Sequence, residues 1–196
     1  MCNDYRSHVD VPTLADFFDS VNVRLLYPEG IPNLEPRDDI RITDRGPIVR
    51  AATDTPGAVE LVQRRWSWPG PGGKPVYNFR SEGRDFPRGR CLIVADGFYE
   101  FTAHSDPKSK RKHKWLFTLT GERWFGIAGL WRADRQVGEA FTMLTCAPGP
   151  DIAPYHNRQA AVLARADWVR WLDPAVPASE VIRSLPAGRL EIEQVN

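Results

Sequence analysis

No stretch of the chain approaches the roughly eighteen consecutive apolar residues that a membrane helix needs. Its opening, MCNDYRSHVD, has none of the apolar core of a secretory signal. Both absences exclude a membrane-spanning or exported protein and point to a cytoplasmic one. Cysteine is scarce: Cys2, Cys91 and Cys146 are an odd, widely spaced set of 3 without a CxxC. That excludes a disulfide framework and fits a reducing compartment. The 4 histidines lie at no metal-ligand spacing, so neither a metal nor a cofactor is expected. Excess charge is also missing, since 26 Lys and Arg face 25 Asp and Glu for a net +1. Any grip on a polyanion must therefore come from a local basic surface. Repeats, low-complexity tracts and linkers are lacking too, so residues 1–196 are read as one domain and as a monomer.

What is present suits a well-filled core, with 42% apolar residues, 7 Trp and 9 Phe. Leu14, Phe17, Phe18 and Val21 recur at helical spacing behind a capping-box pattern, Thr13 to Asp16, and predict a short amphipathic helix that pins the terminus. Three prolines in 28–39 mark a loop, and short strands are expected at Ile40–Thr43 and Pro47–Ala52. Glu60–Trp68 is a strand or a helix end, and the following PGPGGKP should not be regular structure. RCLIVADGFYEF begins as a buried strand and bends at Asp96-Gly97. Beyond the bend, alternation puts Phe98 and Glu100 on one face and Tyr99 and Phe101 on the other. Strands at hairpin spacing follow at Trp115–Thr120, Trp124–Arg132 and Ala140–Thr145. Ala147–Arg158 is a proline-bearing loop, Ala160–Leu163 a strand, Ala166–Leu172 and Ala178–Leu185 short helices, and LEIE an edge strand. The class is α+β, a mostly antiparallel meander with a few short helices.

Cys2 sits where removal of Met1 would expose an α-amine beside a thiol. The amine titrates near pH 8 and the thiol near 8.5, so about a tenth of the amine is free base at neutral pH. Such a 1,2-aminothiol condenses with an aldehyde to an imine, and sulfur closes it to a thiazolidine. Three further polar residues stand in apolar or arginine-rich settings: Asn78 in VYNFRSEG, Glu100 in ADGFYEF and His156 in APYHNR. Taken singly, each reads as a turn cap, a solvated strand residue or a surface histidine. Two basic stretches offer a local positive surface: Arg80, Arg84, Arg88 and Arg90, and residues 108–114.

Together these segments resemble the SRAP family, the SOS response-associated peptidase domain that includes abasic-site DNA–protein crosslink proteins. The resemblance is carried by Met1-Cys2-Asn3, Arg65-Trp66, Tyr77-Asn78-Phe79-Arg80-Ser81-Glu82, Arg90-Cys91-Leu92-Ile93, Ala95 to Glu100, and Ala153-Pro154-Tyr155-His156-Asn157-Arg158. It runs in family order from residue 1 to about 163. The chain departs from the pattern at Ser67, where many members carry Gly, at Phe101, where many carry Trp, and at Gln159-Ala160 in place of Met-Pro.

The resemblance implies a fold of the SRAP type and a protein that joins Cys2 to the ring-opened aldehyde of an abasic site in single-stranded DNA. It implies that Asn78 orients the Cys2 amine or the sugar, that Glu100 shuttles protons, and that His156 helps open the furanose. Arg80 and Arg158 would hold flanking phosphates, and Trp66 and Trp68 would stack on bases. The partner implied is single-stranded DNA with an abasic site, so the cytoplasmic protein would be nucleoid-associated when bound. Two other readings remain open from the residues: a thiol peptidase acting on other proteins, and a non-covalent single-strand binder.

Overall fold

A computed structural model describes residues 2–106 and 108–195. Strand β1 (Asp4–Ser7) leads into helix α1 (Val11–Ser20), and the two-residue β2 (Leu25–Leu26) follows. Next come β3 (Arg37–Arg41), β4 (Arg45–Ala51) and β5 (Val59–Trp66), then the short β6 (Trp68–Pro69), β7 (Pro75–Val76) and β8 (Asn78–Arg80). RCLIVADGFYEF divides at Asp96 into β9 (Arg90–Ala95) and β10 (Gly97–Ala103). After these run β11 (Lys112–Leu119), β12 (Phe125–Asp134), β13 (Gly138–Cys146), β14 (Gln159–Ala160) and β15 (Val162–Leu163). Helices α2 (Trp168–Leu172) and α3 (Ala178–Val181) precede β16 (Leu190–Gln194). The class is α+β, mostly antiparallel, with few and short helices, as the alternation predicts.

Helix α1 starts one turn earlier than the Thr13–Asp16 pattern implies. The Asp10 carboxylate accepts the Thr13 N–H at 2.8 Å, and Pro12 occupies the first turn, where its missing N–H costs nothing. Leu14, Phe17 and Phe18 are buried, but Val21 lies past the helix end and is 41% exposed. Helix α3 is half its expected length, because the backbone turns extended at Ile182. PGPGGKP is also more ordered than expected: β6 and β7 pair antiparallel through Trp68↔Val76 and Pro69↔Pro75 around a 3₁₀ turn. A ladder this short needs few N–H donors, so its prolines are tolerated.

The strands do not form a simple meander. One sheet runs β16-β11-β10-β1-β3, and a second runs β14-β13-β12-β9-β4-β5-β2 with β15 on β12 and β8 on β13. Strand β13 also pairs in parallel with β5, through Ala140↔Arg65 and Phe141↔Trp66, which closes β13-β12-β9-β4-β5 into a ring. The bend at Asp96 carries the chain from the ring into the other sheet. Asp96 fastens that bend to β1, accepting from Arg6 Nε at 3.0 Å and from the His8 N–H at 3.1 Å.

Where the two sheets meet, Tyr5 of β1 meets Trp66 of β5 edge to face, with 5.3 Å between ring centroids, and both rings are fully buried. Gly46 makes room for that contact, since a Cβ there would lie 2.0 Å from the Tyr5 hydroxyl oxygen. Gly46→Ala is therefore expected to lower stability by about 1–3 kcal/mol through overpacking. Urea denaturation checks this, and a midpoint equal to wild type would refute the packing role.

Candidate active site

Cys2 lies just ahead of β1 and is 1% exposed. Its Sγ–H donates to the Asp4 carbonyl at 3.2 Å. Burial pushes the thiol far above its ordinary pKa, and the nearby Glu100 carboxylate pushes in the same direction. At rest the sulfur is thus a protonated thiol. It becomes a nucleophile only when its proton is removed during reaction.

Asn78 opens β8, which packs in parallel on β13 with Asn78 opposite Met143. This places its side chain at the Cys2 main chain, and Nδ2 donates to the Cys2 carbonyl at 2.7 Å. Asn78 Oδ1 is buried and has no hydrogen-bond partner among the described residues. Glu100 is 1% exposed on β10 and shares its face with Phe98, whose ring stacks on Phe117 at 5.3 Å. Desolvation raises the Glu100 carboxyl to about 7, and a hydrogen bond with the Cys2 backbone works against that rise. Cys2, Asn78 and Glu100 are therefore assembled around the main chain of Cys2, the nitrogen included. Met1, with the removal expected of it, lies outside the described residues.

His156 stands on the 147–158 loop, which docks through Tyr155. That ring packs on Trp115 at 4.9 Å and on Phe117 at 5.3 Å, and Trp115 is the cross-strand neighbour of Glu100. His156 Nδ1 lies 3.0 Å from the Arg158 N–H and 3.2 Å from the Arg158 carbonyl, so it accepts from the first in the Nε2–H tautomer and donates to the second in the Nδ1–H tautomer. Desolvation lowers its pKa, and the Arg158 charge adds to the effect, so the ring is neutral around pH 7.

The residues expected to bind DNA divide. Arg80 is exposed at the end of β8. Arg158 is not a free phosphate clamp: Nη2 donates to Glu82 at 2.8 Å and to the Thr145 carbonyl at 2.7 Å. It ties the His156 loop to the residues after β8 and holds Glu82 below the usual carboxylate range. Trp66 presents no face to a base. It is fully buried, lies parallel to Phe141 at 6.5 Å and donates Nε1–H to the Tyr77 carbonyl at 2.8 Å. Trp68 is 7% exposed, with the Arg132 guanidinium 4.5 Å over its ring. Trp66 is a packing residue of the closed ring, while Trp68 belongs to the short β6–β7 pair and is covered by Arg132. Between them Ser67 is buried with φ 90°, a left-handed conformation that favours glycine.

Sequence reasoning missed Asp4 and Asp39, and read Lys114 only as part of the basic stretch 108–114. Lys114 reaches across β10, with Nζ 3.7 Å over the Tyr99 ring, to the Asp4 carboxylate at 2.8 Å and to Asp39. Burial nevertheless raises Asp4 to about 6, so the pair is held against a desolvation penalty. The available signal was Lys114 itself, a cation inside an aromatic strand. Among the described residues no group of His, Cys, Asp and Glu is arranged to hold a metal ion, and no helix is long and apolar enough to cross a membrane.

The model of the SOS response associated peptidase (SRAP) family matches residues 1–196, and the chain belongs to that family. Membership ties it to the SOS response to DNA damage. Solved structures share the fold. A Bordetella bronchiseptica protein superposes with a TM-score of 0.72 at 24% identity, covering 100% of both chains. A Bacteroides thetaiotaomicron protein gives 0.74 at 14%, covering 100% of this chain and 92% of its own. A phage-related protein of Bordetella bronchiseptica gives 0.71 at 22%, covering 100% and 94%. Among curated proteins none matches.

The raised Glu100 carboxyl makes a signed prediction about stability. Its folded pKa lies above the unfolded value, so its contribution is fully present below about 4.3 and is lost as pH rises through about 7. Glu100→Gln removes that loss. It is expected to raise Tm by several degrees at pH 8 and by little at pH 5, as read by thermal unfolding at the two pH values. An equal shift at both would refute a buried, titrating Glu100.

Proposed function

We propose that this protein senses abasic sites in single-stranded DNA and joins them covalently through Cys2 after Met1 is removed, shielding the lesion. The observation that carries the reading is the hydrogen bonding of Glu100 and Asn78 to the main chain of Cys2. A site for thiol chemistry alone has no need to grip that nitrogen. A raised thiol pKa also supports the aminothiol reading over a thiol peptidase, which depends on an activated thiolate.

In this reading the freed Cys2 amine adds to the C1′ aldehyde of the ring-opened sugar. Glu100, near 7, takes a proton from the ammonium and returns it as the hydroxyl leaves as water, and the iminium so formed gives its N–H proton to solvent to become the imine. The Cys2 S–H then adds across the imine: sulfur bonds to C1′, the thiol proton ends on nitrogen, and one water is lost overall with no redox change. Ring closure is intramolecular and gains a large effective molarity over an external thiol. Asn78 holds the Cys2 carbonyl, and its open Oδ1 accepts from the amine or a sugar hydroxyl. Neutral His156, in the tautomer that carries its proton on Nε2, donates to the furanose oxygen as the ring opens. Arg80 faces the flanking phosphates.

Cys2→Ser separates this from its alternatives, because the amine remains while oxygen closes the ring poorly. Wild type should give a heat-stable adduct with abasic single-stranded DNA on a denaturing gel. Its intact mass should equal protein without Met1 plus DNA less one water. Cys2→Ser should give an adduct only under borohydride, with more strand cleavage. A stable Cys2→Ser crosslink without reductant would overturn the thiazolidine, and active protein retaining Met1 would overturn the amine.

A further inference from the structure

The hairpin joining β10 to β11 extends outward from Glu100. Cross-strand pairs Glu100↔Trp115 and Thr102↔His113 set Trp115 and His113 on the Glu100 face. His104 joins them, its ring stacked on His113 at 4.8 Å with 20° between planes, and His113 lies 6.2 Å from Trp115. All three rings are half-buried, and Trp115 is locked by a 2.8 Å hydrogen bond from Nε1 to Thr102 Oγ1. They form a row leading away from the reacting residues. From Glu100 to His104 it covers roughly 13 Å at strand spacing, the span of a few nucleotides.

Lys108, Lys110 and Arg111 stand exposed at the end of the row. They make no ion pair among the described residues, whereas Arg6, Arg37, Lys114 and Arg158 are each paired with a carboxylate. Asp106 of the same turn accepts the Lys108 N–H at 2.9 Å. In a chain of net charge +1 this is a local concentration of cations rather than a reflection of the whole. Flat rings followed by unneutralised cations match a single strand, whose bases stack and whose phosphates seek charge. An acidic peptide or a lipid headgroup would use the charge and leave the rings idle.

We infer that this face of the hairpin carries the DNA strand flanking the reacting nucleotide, with bases against Trp115, His113 and His104 and phosphates against Lys108, Lys110 and Arg111. It takes the stacking role that buried Trp66 and Trp68 do not fill. The inference rests on the proposed reaction with abasic DNA, and its test is arranged to fail separately. Crosslinking is measured on a trinucleotide with a central abasic residue and on a long abasic strand, and binding on an intact single strand across a salt series. Lys108→Ala/Lys110→Ala/Arg111→Ala should react with the trinucleotide like wild type. On the intact strand it should bind at least tenfold more weakly near physiological salt, with a log–log slope lower by about 2, three contacts at about 0.7 each. His104→Ala/His113→Ala should weaken binding roughly fivefold or more with the slope unchanged. Wild-type affinity and slope in both variants would overturn the hairpin surface alone, as would an equal loss on the trinucleotide. Wild-type protein that crosslinks neither substrate would overturn the proposed function instead.

Discussion

Strand β1 is four residues long and stands at the start of the chain, paired with β10 on one side and with β3 on the other. Side chains add to these two ladders. Lys114 crosses from β11 over the Tyr99 ring to Asp4, Asp96 grips Arg6 and the His8 N–H from the bend, and Tyr5 is sealed between Gly46 and Trp66. Cys2 lies two residues upstream of Asp4, and its position follows from these anchors. Asn78 then reaches it from β8 and Glu100 from β10, elements that belong to different sheets. The site lies where these two elements converge on the Cys2 end of β1, the end opposite to the bend at Asp96.

Holding the residues there works against electrostatics. Cys2, Glu100 and Asp4 are all nearly inaccessible, and in each burial is the largest cause of a raised pKa. Desolvation keeps the thiol protonated and brings the Glu100 carboxyl close to neutrality, where it exchanges protons readily in either direction. The same shift makes Glu100 a cost to the fold at alkaline pH. A residue retained at such a cost fits a chemical role better than a packing one.

The aromatic residues divide their work by depth. Trp66 and Phe141 pack in the closed ring, Trp68 is covered by Arg132 on the β6–β7 pair, and Phe17, Trp124 and Trp168 pack together, with 4.4 Å between the two indoles. Tyr155, Trp115, His113 and His104 remain at the surface in a continuous line from the His156 loop to the basic tip. Two features that look unrelated along the chain, an aromatic strand and a run of lysines, become one surface once β10 and β11 pair.

The sequence by itself determined what depends on near neighbours. Alternation placed most strands within a residue or two, set Phe98 and Glu100 on a common face and located the bend at Asp96-Gly97, because side-chain direction repeats every second residue whatever the strand pairs with. The segments around Cys2, Asn78, Glu100 and His156 were legible as family motifs. Only the tertiary structure decided what depends on distant partners: the ring closed by β5 and β13, the pairing of Arg158 with Glu82, and the reach of Lys114 to Asp4. The burial of Trp66 and Trp68 belongs with these. Composition shows that a tryptophan can stack, but whether its face meets a base or Phe141 is settled by which strand lies beside it, and no local period carries that information.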